Sequence, residues 1–128
     1  MAFQVLANNL VAAAAGTDVT LELGVVPSNF SQGTWLPLRA SLTSPALLTG
    51  ATATAITFSF RANRAGTPQT AFATLTTATG TNLAAGVEVS VTITSGTALL
   101  AGDVIELVLT HASTGTAYGA IHARVELA

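Results

Sequence analysis

From Val87 to Thr94 the chain reads Val-Glu-Val-Ser-Val-Thr-Ile-Thr, aliphatic at every odd position and polar at every even one. Successive side chains of an extended strand point to opposite faces, so this run can bury one face only as a β-strand. The same period recurs in Ile56 to Arg61, with Ile56, Phe58 and Phe60 inward, and in Val19 to Leu23. It returns in Ile121 to Leu127, where His122, Arg124 and Glu126 share the outward face. Val104 to Leu109 is nearly continuous aliphatic, broken only by Glu106, and reads as a more central strand. Thr34 to Leu42 alternates through Leu36, Leu38, Ala40 and Leu42, but Pro37 cannot donate to a ladder. That strand is expected at an edge or at a bulge. Thr70 to Thr77 is a weaker strand.

Turn chemistry separates these runs. Pro27-Ser28-Asn29, Ser31-Gln32-Gly33, Ser44-Pro45, Thr49-Gly50, Asn63 to Pro68, Thr79 to Asn82, Gly86, Ser95-Gly96 and Ser113-Thr114-Gly115 all hold the residues that tight turns favour. Seven to eight short strands so punctuated predict an all-β chain, a single antiparallel β-sandwich of jelly-roll-like kind over residues 1–128. Its core is expected to include Leu21, Leu36, Phe58, Phe60, Val89, Val91, Ile105, Leu107 and Val125, the inward positions of the alternating runs. Residues 1–16 are ambiguous. Phe3, Leu6 and Leu10 stand at helical spacing beside an Ala run, yet a first strand or a docked N-terminal arm fits equally. The segment has no charged side chain and carries Phe3, Val5, Leu6, Leu10 and Val11. Free termini are normally polar, so this one is expected to dock on its own sheet, a neighbouring copy or another protein.

Composition narrows the function. Charged residues are 8% of the chain and Lys is absent, against about 25% charged in an ordinary domain. Ala and Thr together exceed a third of it. Surface charge keeps proteins apart in solution, so a folded chain without it is expected to pack against other protein copies. Four Arg (Arg39, Arg61, Arg64, Arg124) oppose six acids, and no basic cluster exists to neutralise phosphates. Nucleic acid is therefore not expected as a partner. The absence of Cys removes disulfides and thiolate chemistry. No Lys or Arg precedes the first apolar stretch, as a signal peptide would require. The longest apolar run, Leu10 to Ala15, is far short of a spanning helix. A membrane β-barrel needs strands of about 10 residues and aromatic girdles. Aromatics are 5% here, so no membrane is expected.

Chemistry-bearing residues are few, and no enzyme, metal or cofactor is expected. A Walker-type loop lacks its Lys. His111 and His122 lie near no G-x-S-x-G elbow. If residues 112–119 close a hairpin, the two imidazoles would sit together as a pair of metal ligands or a pH switch; otherwise they are polar side chains at a sheet rim. Glu88, Glu106 and Glu126 read as solvent-face residues or sheet partners, and Asp103, after Gly102, as a turn residue bonding local backbone. Asn29-Phe30-Ser31 has the form of a glycan acceptor but reads as a chance match without a secretion signal. Trp35 and Tyr118 could stack on a sugar, but such aromatics more often anchor cores and protein interfaces. The candidate partner contacts are thus Phe3, Val5, Leu6, Leu10, Val11, Trp35 and Tyr118.

Leu99 to Leu107, Thr114-Gly115-Thr116-Ala117 and the closing Val125-Glu126-Leu127 resemble small decoration (cement) proteins of tailed-phage heads. Thr34 to Gly50 followed by Ile56 to Phe60 resembles the same group. The resemblance spreads over most of the chain and is one of rhythm, since the group has no diagnostic catalytic or ligand motif. It implies a β-sandwich on the outer surface of an assembled virion capsid, made in the host cytoplasm, often as a homotrimer. Its partner would be the major capsid protein of the shell. The alternatives are a tail, neck or fibre component of the virion, or a carbohydrate-binding adhesin module.

Overall fold

Alternation becomes strands where the pattern puts them, and a computed structural model shows how they pair. It describes residues 4–13, 16, 18–28, 33–94 and 97–128; Phe3 and the Asn29-Phe30-Ser31 triplet lie outside these. The fold is an all-β antiparallel sandwich. Eleven strands occur among the described residues: β1 Gln4–Asn9, β2 Val19–Val25, β3 Thr34–Trp35, β4 Pro37–Thr43, β5 Ile56–Arg64, β6 Thr67–Pro68, β7 Ala73–Thr76, β8 Glu88–Val91, β9 Leu99–Leu100, β10 Val104–His111 and β11 His122–Leu127. That exceeds the seven to eight expected. Three of the eleven (β3, β6 and β9) are two residues long, too short to show a period.

One sheet runs β1-β11-β4-β8 and the other β2-β10-β5-β6, with β7 also on β5; β3 and β9 form a separate ribbon. The core lies between the two sheets. Ala40, Leu42, Val91, Ala123, Val125 and Leu127 enter it from the first, and Ile56, Phe58, Phe60, Ile105, Leu107 and Leu109 from the second. Each such Leu, Ile or Phe contributes about 1.5–3 kcal/mol on leaving water. The nearly continuous aliphatic run is indeed central, since β10 pairs with both β2 and β5.

Both long seams of the sandwich are tied. On one, Asn8 Nδ2 donates to the Glu22 carbonyl at 2.8 Å. Leu6 packs there on Gly24, where an added Cβ would stand 3.0 Å from Leu6 Cδ2. On the other seam the Val87–Thr94 run leaves the first sheet: Ile93 bridges Ala73, and Thr94 N–H donates to the Phe72 carbonyl at 2.8 Å.

Six of the nine expected core residues are buried: Phe58, Phe60, Val91, Ile105, Leu107 and Val125. Leu21 and Val89 are half-buried against them. Leu36 is a correction, being 50% exposed. Glu126 opposes Arg39 while Leu127 opposes Pro37, so Leu38 is the extra residue of a bulge. A bulge shifts side-chain parity by one. Trp35 and Pro37 therefore turn inward with Ala40 and Leu42, and Leu36 and Leu38 turn out. β4 lies between β11 and β8, so the proline marks a bulge and not an edge.

The N-terminal segment is a strand over Gln4–Asn9, paired with β11 from Gln4↔Leu127 to Asn9↔His122. It docks on its own sheet, and helical spacing there was coincidental. Val91→Asp should abolish folding, because it buries an unpaired charge; Leu36→Asp should leave the circular dichroism spectrum unchanged. Deleting residues 2–11 removes β1 and the fully buried Leu10. Thermal melting should then show a fall in Tm of more than about 10 °C or no cooperative transition.

Candidate interaction surface

Charge placement governs which surfaces are open. All four guanidinium groups are paired with carboxylates of this chain. On the outer face of the first sheet Arg39 bonds Glu88, Arg124 Nη1 lies 2.8 Å from Glu126 Oε1 and 3.7 Å from Glu88 Oε2, and Ser41 Oγ donates to Glu88 at 3.1 Å. On the second sheet Arg61 Nε donates to Glu106 at 3.1 Å, across the β5–β10 register. Three acids read as sheet partners thus are so, each with an Arg. These sets cancel, so the formal charge of -2 resides on Asp18 and Glu22.

The fourth Arg makes the most buried pair. Asp103 is 1% exposed and sits just before β10. Arg64 Nε and Nη2 donate to its two oxygens at 2.9 and 2.8 Å, a bidentate fork. Leu100 N–H also donates to Asp103 Oδ2 at 2.9 Å, the local turn contact expected from sequence. The Arg64 bonds, helped by the Leu100 amide, hold the Asp103 carboxyl below its ordinary range against the opposing effect of burial. Arg64 is 39 residues away, and no sequence signal pointed to it.

The histidines do not meet. His111 ends β10 in the second sheet, and His122 begins β11 in the first, so residues 112–121 cross between sheets and close no hairpin. His111 Nδ1 stands 3.1 Å from Asp18 Oδ1, and its ring stacks on Tyr118 at 6.2 Å. Burial pushes the Tyr118 hydroxyl up. Gly115 lies over the imidazole with φ +66°, where an added Cβ would come within 2.2 Å of His111 Cδ2. His122 Nδ1 lies 2.6 Å from Asn9 Oδ1. Among the described residues no group of three His, Cys, Asp or Glu could hold a metal ion, and no helix is long and apolar enough to cross a membrane.

The aromatic partner candidates are interior. Trp35 is 2% exposed, and its Nε1 donates to the Pro27 carbonyl at 2.9 Å. Tyr118 and Leu10 are buried too. A side chain sealed in its own core cannot contact a partner, so all three are corrected to packing residues. Leu6 fills the β1–β2 seam. Val5 and Val11 stay on the surface, Val11 at 84% exposure, and Phe3 lies outside the described residues.

Four of the exposed aliphatics that sequence reasoning missed lie at one end, while Leu47 and Val87 are exposed elsewhere. Val25, Leu36, Leu38 and Leu100 are 38–58% exposed. Backbone bonds link them: Leu36 pairs with Ala128, Thr34 opposes Leu100, and the Gly102 amide donates to the Val26 carbonyl. Val5 adds to this end from β1, opposite Glu126. The ion pairs bordering it, Arg64–Asp103 and Arg124–Glu126, are closed within the chain. Exposed apolar side chains gathered at one end and rimmed by closed ion pairs mark a site of protein contact.

No family model matches this chain, and no curated relative does. Among solved structures it is similar to a chain of the structure of infectious bursal disease virus Gx strain, with 15% identity and a TM-score of 0.43 over 98% of this chain. It spans about a third of that viral chain, 32% of its length.

Asp103 supplies a pH dependence with a definite sign. Its folded pKa is lowered, so the unfolded state binds the proton more readily, and stability falls as pH drops. The contribution is complete above the unfolded carboxyl range, near pH 4, and is lost as pH falls through the lower folded value. Asp103→Asn should reduce Tm at neutral pH by roughly 5–10 °C. It should also flatten the decline of stability as pH falls below the ordinary carboxyl range of about 4. An unchanged acid limb in that variant would refute the assignment.

Proposed function

We infer that this chain is a structural protein of a virion, a decoration protein that binds the outside of an assembled phage head. The observation that carries this reading is the Leu36 end: exposed Val25, Leu36, Leu38 and Leu100, beside ion pairs already closed within the chain. Such a surface meets another protein without stripping water from a free charge, which is the costly step in burying polar groups. The sequence resemblance names the partner class as the major capsid protein of the shell, and the homotrimer it implies belongs to the same reading. A sugar-binding module loses its support, because Trp35 and Tyr118 are in the core.

The mechanism is linkage. A protein that binds the assembled shell and not its dissociated subunits stabilises the shell by RT ln(1 + [L]/Kd) per site, about 2.7 kcal/mol at a hundredfold excess over Kd. Many equivalent sites make modest contacts sufficient against internal pressure. No catalytic step is involved.

Binding to emptied phage heads is the test. Wild type should co-sediment with them, and Leu36→Asp combined with Leu38→Asp should weaken binding at least about tenfold without changing the circular dichroism spectrum. Binding should vary less than about threefold between about 50 and 500 mM salt, since few charges are open to screening. Absence of binding, or a steep salt dependence, would overturn the reading; localisation to tails or necks of intact particles would replace it with the tail alternative.

A further inference from the structure

Most sheet edges of this sandwich are covered by the chain itself. β1 and β2 face each other through the Asn8–Glu22 and Leu6–Gly24 contacts. β6 ends on Pro68, and Gln69 Nε2 caps the Thr67 carbonyl at 2.9 Å. The start of β7 is tied to residues 93–94. β8 differs. It pairs with β4 from Ala40↔Val91 to Thr43↔Glu88, and among the described residues its other side has no backbone partner over Glu88–Val91. Edges are ordinarily blunted by short length, a charged side chain, Pro, a bulge or an inward charge. Glu-Val-Ser-Val is short and carries one charge, but it has no Pro, bulge or inward charge. Its one charged residue, Glu88, is turned back onto Arg39, Ser41 and Arg124 of its own sheet.

We propose that this edge pairs antiparallel with β8 of a second copy, joining two four-stranded sheets into one of eight across a two-fold axis. The occupant follows from charge. An edge whose only carboxylate is neutralised internally fits an edge equally free of charge, and this chain carries one itself. A partner strand bearing Lys or Asp would set that charge against Val and Ser side chains.

Parity and charge also set the register. Opposed residues must share a face, so the axis passes beside a residue and not between two. An axis at Glu88 would put two carboxylates opposite each other. An axis at Ser90 would set Ile93 opposite Val87, and an axis at Val91 would set Ile93 opposite Val89 and Thr94 opposite Glu88, yet Ile93 and Thr94 are already committed to Ala73 and Phe72. An axis at Val89 opposes no carboxylates and leaves Ile93 and Thr94 outside the ladder. The Val87 N–H, which donates to the Ala84 carbonyl at 3.3 Å, keeps that bond, so Val87 meets the second copy by its side chain. Val89 then opposes Val89, Val87 opposes Val91, and Glu88 opposes Ser90 of the second copy. The contact is independent of the Leu36 end and of shell binding. Any closed assembly that uses it holds an even number of copies, so a trimer that uses it becomes a hexamer.

Analytical ultracentrifugation of the full chain, without capsids, tests this. Ser90 is exposed on the outer face, so its variants should fold. Ser90→Asp places a carboxylate opposite Glu88 twice across the axis and should raise the dissociation constant at least about tenfold. Ser90→Arg places a guanidinium there and should lower it about three- to tenfold. Thr74→Asp, on the outer face of the other sheet, should change nothing. Opposite shifts in the two Ser90 variants support the proposal. A wild-type chain that stays monomeric or purely trimeric at about 100 μM overturns it. So does association that is the same in all three variants. Each of these outcomes can occur whether or not the chain binds phage heads.

Discussion

β10 is hydrogen-bonded along both sides, to β2 from Val104↔Val25 to Leu109↔Val19 and to β5 from Val104↔Asn63 to His111↔Ile56. Its inward residues, Ile105, Leu107 and Leu109, are fully buried, and they meet a first sheet centred on β11 and β4. Neither neighbour of β10 is local. β2 lies some eighty residues earlier, and β5 some forty-five, so three distant segments must be brought together before the core can close. Loop closure of that kind makes folding slow and all-or-none in character. It also explains why the cross-connections sit at the ends of β10: Asp103 before it binds Arg64 from β5, and His111 at its close contacts Asp18 from the approach to β2. Each polar contact fixes the register of a pairing that aliphatic side chains alone leave free to slip.

Scarce charge imposes a second order on the molecule. With four Arg and six acids, an unpaired guanidinium would be conspicuous, and none occurs. Exposed pairs such as Arg39–Glu88 add little stability. Their effect is on the surface, where each guanidinium is cancelled within a few ångströms and only Asp18 and Glu22 are left without an opposing Arg. A partner would then be recognised by shape and apolar area, not by steering.

How much of this was legible depended on the range over which each signal acts. Ile56–Phe60, Val104–Leu109 and Ile121–Leu127 were placed correctly because side-chain period is a local property that tertiary contacts only reinforce. Leu36 was misplaced because a single bulged residue, Leu38, inverts the parity upstream of it, and the neighbouring Pro37 showed only that something irregular stood there. β1 was ambiguous for a similar reason: an edge strand buries too little to enforce strict alternation, so Leu6 and Leu10 retain a spacing that a helix shares. The Arg64–Asp103 fork and the separation of the two His onto different sheets depend on topology, which no local pattern encodes. Trp35 and Tyr118 showed the preference for packing over sugar stacking that their size suggests, but as interior residues, not as an interface.

The Thr content follows from the same constraint as the missing Lys. The outer face of the second sheet carries Thr20, Thr57, Ser59, Thr74, Thr76 and Thr110. A strand that must show one face to water needs polar side chains there, and Lys would supply them with a free charge and about 2 kcal/mol of rotamer entropy to lose on any contact. Thr is β-branched, so it favours the strand by itself. Its hydroxyl hydrates without charge and can be satisfied by a neighbour, as between Thr57 and Thr76 at 3.1 Å and between Thr52 and Thr79 at 3.3 Å. The result is a surface divided by kind: a hydroxyl-rich face that also holds Glu22 and the closed Arg61–Glu106 pair, a face of self-cancelling ion pairs, and an apolar end bordered by closed pairs. Solubility is kept on the two faces, which leaves the Leu36 end free to be apolar.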